Sequence, residues 1–161
     1  MLIQKTANET YNIEERKGVK MADRVIVRQD SEFRTQFMAE GEADSAKGKM
    51  EAVEQLHQLN PYSMMLSSLG SCTAIVLNTY AQYHHLKLEE VEIHLQYNRN
   101  YKKDCETCEE VGNYTEEMVE EILLKGKLSQ DERQKLLHIA HACPIYKMFK
   151  EGIPIKTSLL G

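Results

Sequence analysis

Four of the 161 residues are cysteines, and each sits in a setting that suggests a chemistry. Cys72 is flanked by Gly70, Ser71, Thr73 and Ala74, so no bulky neighbour in the chain shields its sulfur. A cysteine of this kind is either a small core hydrophobe or a nucleophile, and its position alone leaves both open. Cys143 falls between a helical pattern that ends near Ala142 and a new turn opened by Pro144. There it can cap the following helix, whose unpaired N–H groups favour a thiolate. The competing reading is that it fills a corner between two helices.

Cys105 and Cys108 form a CxxC pair, which is half of a zinc site by spacing. No second CxxC or HxxxH completes a standard finger, although His138 and His141 lie three apart and His84 and His85 adjoin a polar loop. An exposed CxxC can instead cycle between dithiol and disulfide. Its neighbours Asp104, Glu106, Glu109 and Glu110 oppose that by raising the thiol pKa. The chain contains no GxGxxG, P-loop, HExxH, GxSxG or EF-hand pattern, so the sulfurs are its most specific chemical groups.

The elements that must position these sulfurs are readable from periodicity. Gln55 to Leu86 contains no Asp, Glu, Lys or Arg in a chain that is 28% charged, so this segment is expected to be buried. Asn60 is a good N-cap and Pro61 a good first residue, which predicts a helix to about Tyr83. Its many Ser, Thr and Asn side chains and the lack of a basic flank argue against a membrane span. Ser67, Gly70 or Ser71, Ala74 and Asn78 form a stripe of small residues that would admit another helix closely. One chain of this size has little else to cover such a helix, and we expect a homodimer.

Before the helix, Val25 and Val27 alternate with Ile26 and Arg28, and Phe33, Thr35 and Phe37 alternate with Arg34, Gln36 and Met38. With the turn chemistry of Asp30-Ser31 this predicts a hairpin. Residues 40–59 read as a loop with a short strand near its end. After the helix, Val91, Ile93, Leu95 and Tyr97 share one strand face, and Met118 to Leu128 reads as a second strand with Gly126 as a possible bulge. Ser129 to Glu132 is a capping-box sequence for a helix that stops before Pro144; a short helix to Gly152 and a last strand over Ile153 to Leu159 follow. The order lacks regular strand–helix alternation, which predicts α+β rather than a doubly wound sheet. Residues 1–21 read as an N-terminal tail or extension and 22–161 as a single domain.

Composition narrows the function classes. Twenty basic and 25 acidic residues give a formal charge of -5, which disfavours a broad surface for nucleic acid or an anionic membrane. Four cysteines are too few for a disulfide scaffold and no secretion signal opens the chain, so a cytoplasmic location is expected.

The run from Asn60 through Tyr62, Ser67, Gly70 and Cys72 to Ala74, followed by His141-Ala142-Cys143-Pro144-Ile145, resembles the OsmC/Ohr family of osmotically induced and organic-hydroperoxide-resistance proteins. The likeness extends through Leu124 to Glu132 and Ile153 to Thr157 and covers about residues 22–160. The CxxC resembles a feature of one subgroup. The resemblance implies an α+β fold with antiparallel sheets around a long central helix, built as an intertwined homodimer with active sites at the subunit interface. It further implies a peroxiredoxin-like thiol peroxidase of the oxidative stress response. Cys72 would be the peroxidatic and Cys143 the resolving cysteine, with a small-molecule hydroperoxide and a thiol reductant as partners and no metal or organic cofactor. Tyr62, Met64, Met65, Leu69, Ile145 and Phe149 are candidates for an apolar pocket.

The likeness departs at one point. Peroxidases of this family place an acidic residue just after the proline of the central helix and use an arginine from the N-terminal sheet; here Tyr62 and Ser63 hold those helical positions. Arg24, Arg28 and Arg34 lie in the corresponding sheet, but none stands in a matching motif. The departure suits an alternative, a weakly active or non-catalytic protein that binds a small apolar ligand in the interface cleft.

Overall fold

The computed structural model describes residues 20–40, 48–101 and 114–159; Cys105 and Cys108, and with them the zinc and dithiol readings, lie outside these. Two compact units divide the chain. Of the smaller, the described residues include the ends of two strands, where Arg99 pairs with Glu116 at 3.3 Å. The larger comprises Asp23–Tyr97 and Met118–Gly161 and contains Cys72 and Cys143.

Strands β1 (Lys20–Asp30) and β2 (Thr35–Glu40) form the expected hairpin, with Val25 opposite Ala39 and Val27 opposite Phe37. The Asp30 carboxylate accepts the N–H groups of Glu32 and Arg34 at 2.9 and 3.0 Å, so the turn is built by an Asx side chain. This moves Phe33 out of the predicted strand face: it sits in the turn with φ of 62°. The short strand expected in the following loop is β3 (Met50–Ala52), which pairs with β2, and a single 3-10 turn at Leu56–Gln58 leads to the long helix.

Helix α1 (Pro61–Tyr83) starts as predicted, with the Asn60 side chain accepting the Ser63 N–H at 2.8 Å and donating to Asp23 at 2.7 Å. Strands β4 (Leu88–Tyr101) and β5 (Tyr114–Gly126) complete a five-stranded antiparallel sheet of order β3-β2-β1-β4-β5. Helices α2 (Gln130–Ala140) and α3 (Pro144–Glu151) pack on α1. The result is α+β.

The core lies between α1 and the sheet. Val25 and Val27 of β1 and Val91, Ile93, Leu95 and Tyr97 of β4 are buried, as their alternation requires, each large side chain contributing about 2 kcal/mol relative to exposure. At Gly70 and Asn78 the small-residue stripe of α1 meets this sheet, where the sequence led us to expect another helix. A Cβ added to Gly70 would stand 2.7 Å from both Leu95 Cδ1 and Val27 Cγ2, so only glycine permits this approach. Asn78 in the same stripe donates to the buried Gln29 side chain at 2.9 Å.

Three further expectations change. The uncharged segment is not buried on all sides, because Ile75 and Tyr83 on α1 and Leu56 before it are exposed, Tyr83 at 80%. Strand β5 ends at Gly126, whose φ of 135° and approach to the Lys87 backbone carbonyl exclude a side chain there. Residues 152–159 form no strand; they carry no regular secondary structure, and Ile155 and Leu159 are 83% and 96% exposed. Among the described residues, no helix is long and apolar enough to cross a membrane.

Candidate functional site

The fold brings Cys72 and Cys143 together from opposite halves of the sequence. Cys72 lies at the middle of α1 and is partly exposed, whereas Cys143 is fully buried at the junction of α2 and α3. The junction is sharp because α2 is opened by a Ser129–Glu132 capping box and ends just before Pro144, which cannot continue it. Cys143 is the N-cap of α3, as its sequence position suggests, and its sulfur accepts the Tyr146 N–H at 3.5 Å.

The two thiols are close enough to bias each other's protonation. The start of α3 serves both sulfurs: Tyr146 N–H faces Cys143, and Ile145 N–H lies near Cys72 and favours its thiolate. Burial outweighs this. Loss of solvent pushes the Cys72 pKa up, the neighbouring Cys143 thiol adds to the rise, and the charge of Glu120 adds a smaller part.

Glu120 is the site residue that the sequence reading missed. It stands on β5 in phase with Met118, Ile122 and Leu124, the inward face of the strand, where an apolar residue is expected. That phase was the available signal. Burial raises its pKa, tempered by the Thr73 hydroxyl beside it. Glu120 Oε1 and Thr73 Oγ1 are nevertheless both buried without a hydrogen-bond partner among the described residues. Thr73 follows Cys72 directly in α1, so this polar pair adjoins the sulfurs.

The three candidate arginines are engaged elsewhere. Arg24 pairs with Glu40 at 2.9 Å, Arg28 with Glu92 at 2.9 Å and Arg34 with Asp30 at 2.7 Å. Each therefore serves a carboxylate of the sheet or its turn.

Beside the helix, a groove of about 360 Å³ is bordered by Phe37, Val53, Leu56 and Met64. Of the six residues expected to form an apolar pocket, only Met64 borders it. Leu69 is core, and Tyr62 stacks on Tyr97 with ring centroids 4.9 Å apart. Ile145 and Phe149 lie on α3. His141 stacks on Tyr146 at 5.0 Å, His84 lies tilted against Tyr80 at 4.1 Å, and among the described residues no three His, Cys, Asp or Glu side chains are grouped to hold a metal.

A profile of the family described as OsmC-like protein matches residues 54–158, more than half of the chain and the whole stretch that carries both sulfurs. The chain belongs to the OsmC-like family. Its fold is similar to that in the crystal structure of an OsmC-like hydroperoxide resistance protein from Jannaschia sp. CCS1, with a TM-score of 0.59 over 87% of this chain and 94% of that one. At 10% identity, this likeness speaks for the OsmC-like fold and not for shared chemistry. No curated protein matches the chain.

Proposed function

We propose that this OsmC-like protein is a thiol-dependent reductase of organic hydroperoxides, with Cys72 peroxidatic and Cys143 resolving. The supporting observation is the meeting of two free thiols, one partly exposed and one buried, at the start of α3. In the first step the Cys72 thiolate attacks the outer oxygen of the peroxide. The O–O bond breaks, the alkoxide takes up a proton and leaves as an alcohol, and the sulfur is oxidised by two electrons to sulfenic acid. Cys143 then attacks that sulfur, water leaves, and the S–S bond forms. An external dithiol reduces the disulfide and is itself oxidised.

A homodimer is part of the proposal. Ile75 and Tyr83 on α1, Met148 and Phe149 on α3, and Ile153, Ile155 and Leu159 beyond it are large apolar side chains left exposed. A second copy would cover such surface and dry the surroundings of Cys72.

The raised Cys72 pKa, with no cation among its described influences, favours a second reading in which the fold binds a ligand without turnover. Consumption of cumene hydroperoxide in the presence of dithiothreitol separates the two. With dithiothreitol the wild type should turn over many equivalents and Cys72→Ser none, while Cys143→Ser, assayed after the dithiol is removed, should stop after about one equivalent and accumulate a dimedone-reactive sulfenic acid at Cys72. Equal consumption by wild type and Cys72→Ser would eliminate the peroxidase.

A further inference from the structure

Cys143 has two roles that compete for one sulfur. With its thiol free it caps α3, accepting at 3.5 Å the Tyr146 N–H, one of the first-turn donors that no carbonyl within a helix can serve. The same sulfur is the partner of Cys72 in the proposed disulfide. Bonded sulfurs stand about 2.05 Å apart within a narrow range of dihedral angles, so two free thiols must shift to form the bond. The contact to the Tyr146 N–H is already long and has little slack to follow such a shift.

The place of this cap decides its importance. Of the residues of α3 only Ile145 and Tyr146 are partly buried, both against the core, and the Tyr146 ring lies on His141 at 5.0 Å. Every residue from Lys147 to Leu159 is exposed, and residues 152–159 carry no regular secondary structure. The helix is thus anchored through its first turn, and eight residues are too few to persist on backbone bonds alone. Helix α2 differs, with its own Ser129–Glu132 capping box and with Leu136 and Ala140 buried. We propose that Cys143 is a redox switch for α3: the free thiol caps the helix, and bonding to Cys72 removes the cap, so that α3 and residues 152–159 loosen when the pair is oxidised. The switch rests on the pairing of the two cysteines in the proposed function, but not on a peroxide as the oxidant.

The test uses the whole chain and diamide, which takes up the two electrons and two protons that a pair of thiols gives up as the S–S bond forms, and becomes the hydrazine. Peptide mapping identifies the bond, and amide exchange by NMR reads the helix at Tyr146 and Lys147. In diamide-treated wild type joined through Cys72 and Cys143, these amides should exchange about fivefold or more faster than in dithiothreitol, while those of α2 keep their rates. Cys143→Ala should exchange fast already in dithiothreitol, whereas Cys143→Ser, whose hydroxyl caps well, should stay protected and ignore diamide. Cys72→Ser should also ignore it, although Cys105 and Cys108 remain to be oxidised. Unchanged exchange in the joined wild type, protection in Cys143→Ala, a response in Cys72→Ser, or an equal gain across α2 would each overturn the switch. A map without the Cys72–Cys143 bond would overturn it too, and would count against the pairing itself, which separates that failure from a failure of the cap.

Discussion

Glu120 adds a small charge effect at the thiol site, opposite in sense to that of an activating arginine. Its charge raises the Cys72 pKa, while its own pKa is raised by burial. Removing the charge should therefore lower the Cys72 pKa and expose more thiolate. Glu120→Gln is expected to speed alkylation of Cys72 by iodoacetamide about twofold or more at pH 7, read by peptide mapping. Slower or unchanged alkylation would contradict this role. The stability effect has a definite sign. A carboxyl whose folded pKa lies above its unfolded value binds more protons in the native state, so stability falls as pH rises above the ordinary carboxylate range. The variant should be more stable than the wild type at pH 7 and lose that advantage near pH 4, by thermal melts. At this scale the sequence was legible where a residue has a local signature, as with the N-cap at Cys143. It was silent where the partner comes from a distant strand, and the likeness in the α1 motif gave no hint that a carboxylate on β5 faces Thr73.

Among the elements, helix starts were the most legible. Asn60-Pro61 and the Ser129–Glu132 box act within a few residues, so their chemistry is fully present in the local sequence. What a helix face meets is a tertiary fact. The small-residue stripe announced a close approach and was read as that of another helix, whereas at Gly70 Val27 and Leu95 of the sheet make it. Gly70→Ala should overpack this contact and cost about 1–3 kcal/mol in urea unfolding, because a β-branched neighbour has little freedom to move aside. Gly70→Ala with the stability of the wild type would show that the sheet yields more easily than this packing implies. The predicted last strand failed for a related reason. Alternation at Ile153 and Ile155 marks extended chain, but a strand also needs a neighbour for its hydrogen bonds, and among the described residues 152–159 pair with none.

For the whole molecule, resistance to acid should centre on a buried carboxylate of the sheet. Burial opposes ionisation of Glu92, but hydrogen bonds from His94, Lys125 and Arg28 overcome it and lower its pKa from 4.5 to about 2. A depressed carboxylate pKa stabilises the fold above the unfolded value and loses that contribution as pH falls toward 2. Glu92→Gln should cost about 2 kcal/mol at pH 7 and little at pH 2, as measured by urea denaturation across pH. An equal loss at both values would mean that packing, not charge, is what Glu92 supplies. Antiparallel α+β order was legible because alternation and caps define it; the exposure of Tyr83, Ile155 and Leu159 was not, since composition shows how much apolar surface a chain carries and not which part remains outside.

The stacked rings of Tyr62 and Tyr97 give this molecule an internal gauge. The chain has no tryptophan, so near-ultraviolet optical activity must arise chiefly from its eight tyrosines, three phenylalanines and sulfur chromophores. A nearly coplanar pair, 12° between ring planes, couples its transitions when the first turn of the long helix is seated on its strand. Circular dichroism near 280 nm thus reports the seating of the helix that carries Cys72, with no dye or engineered label attached.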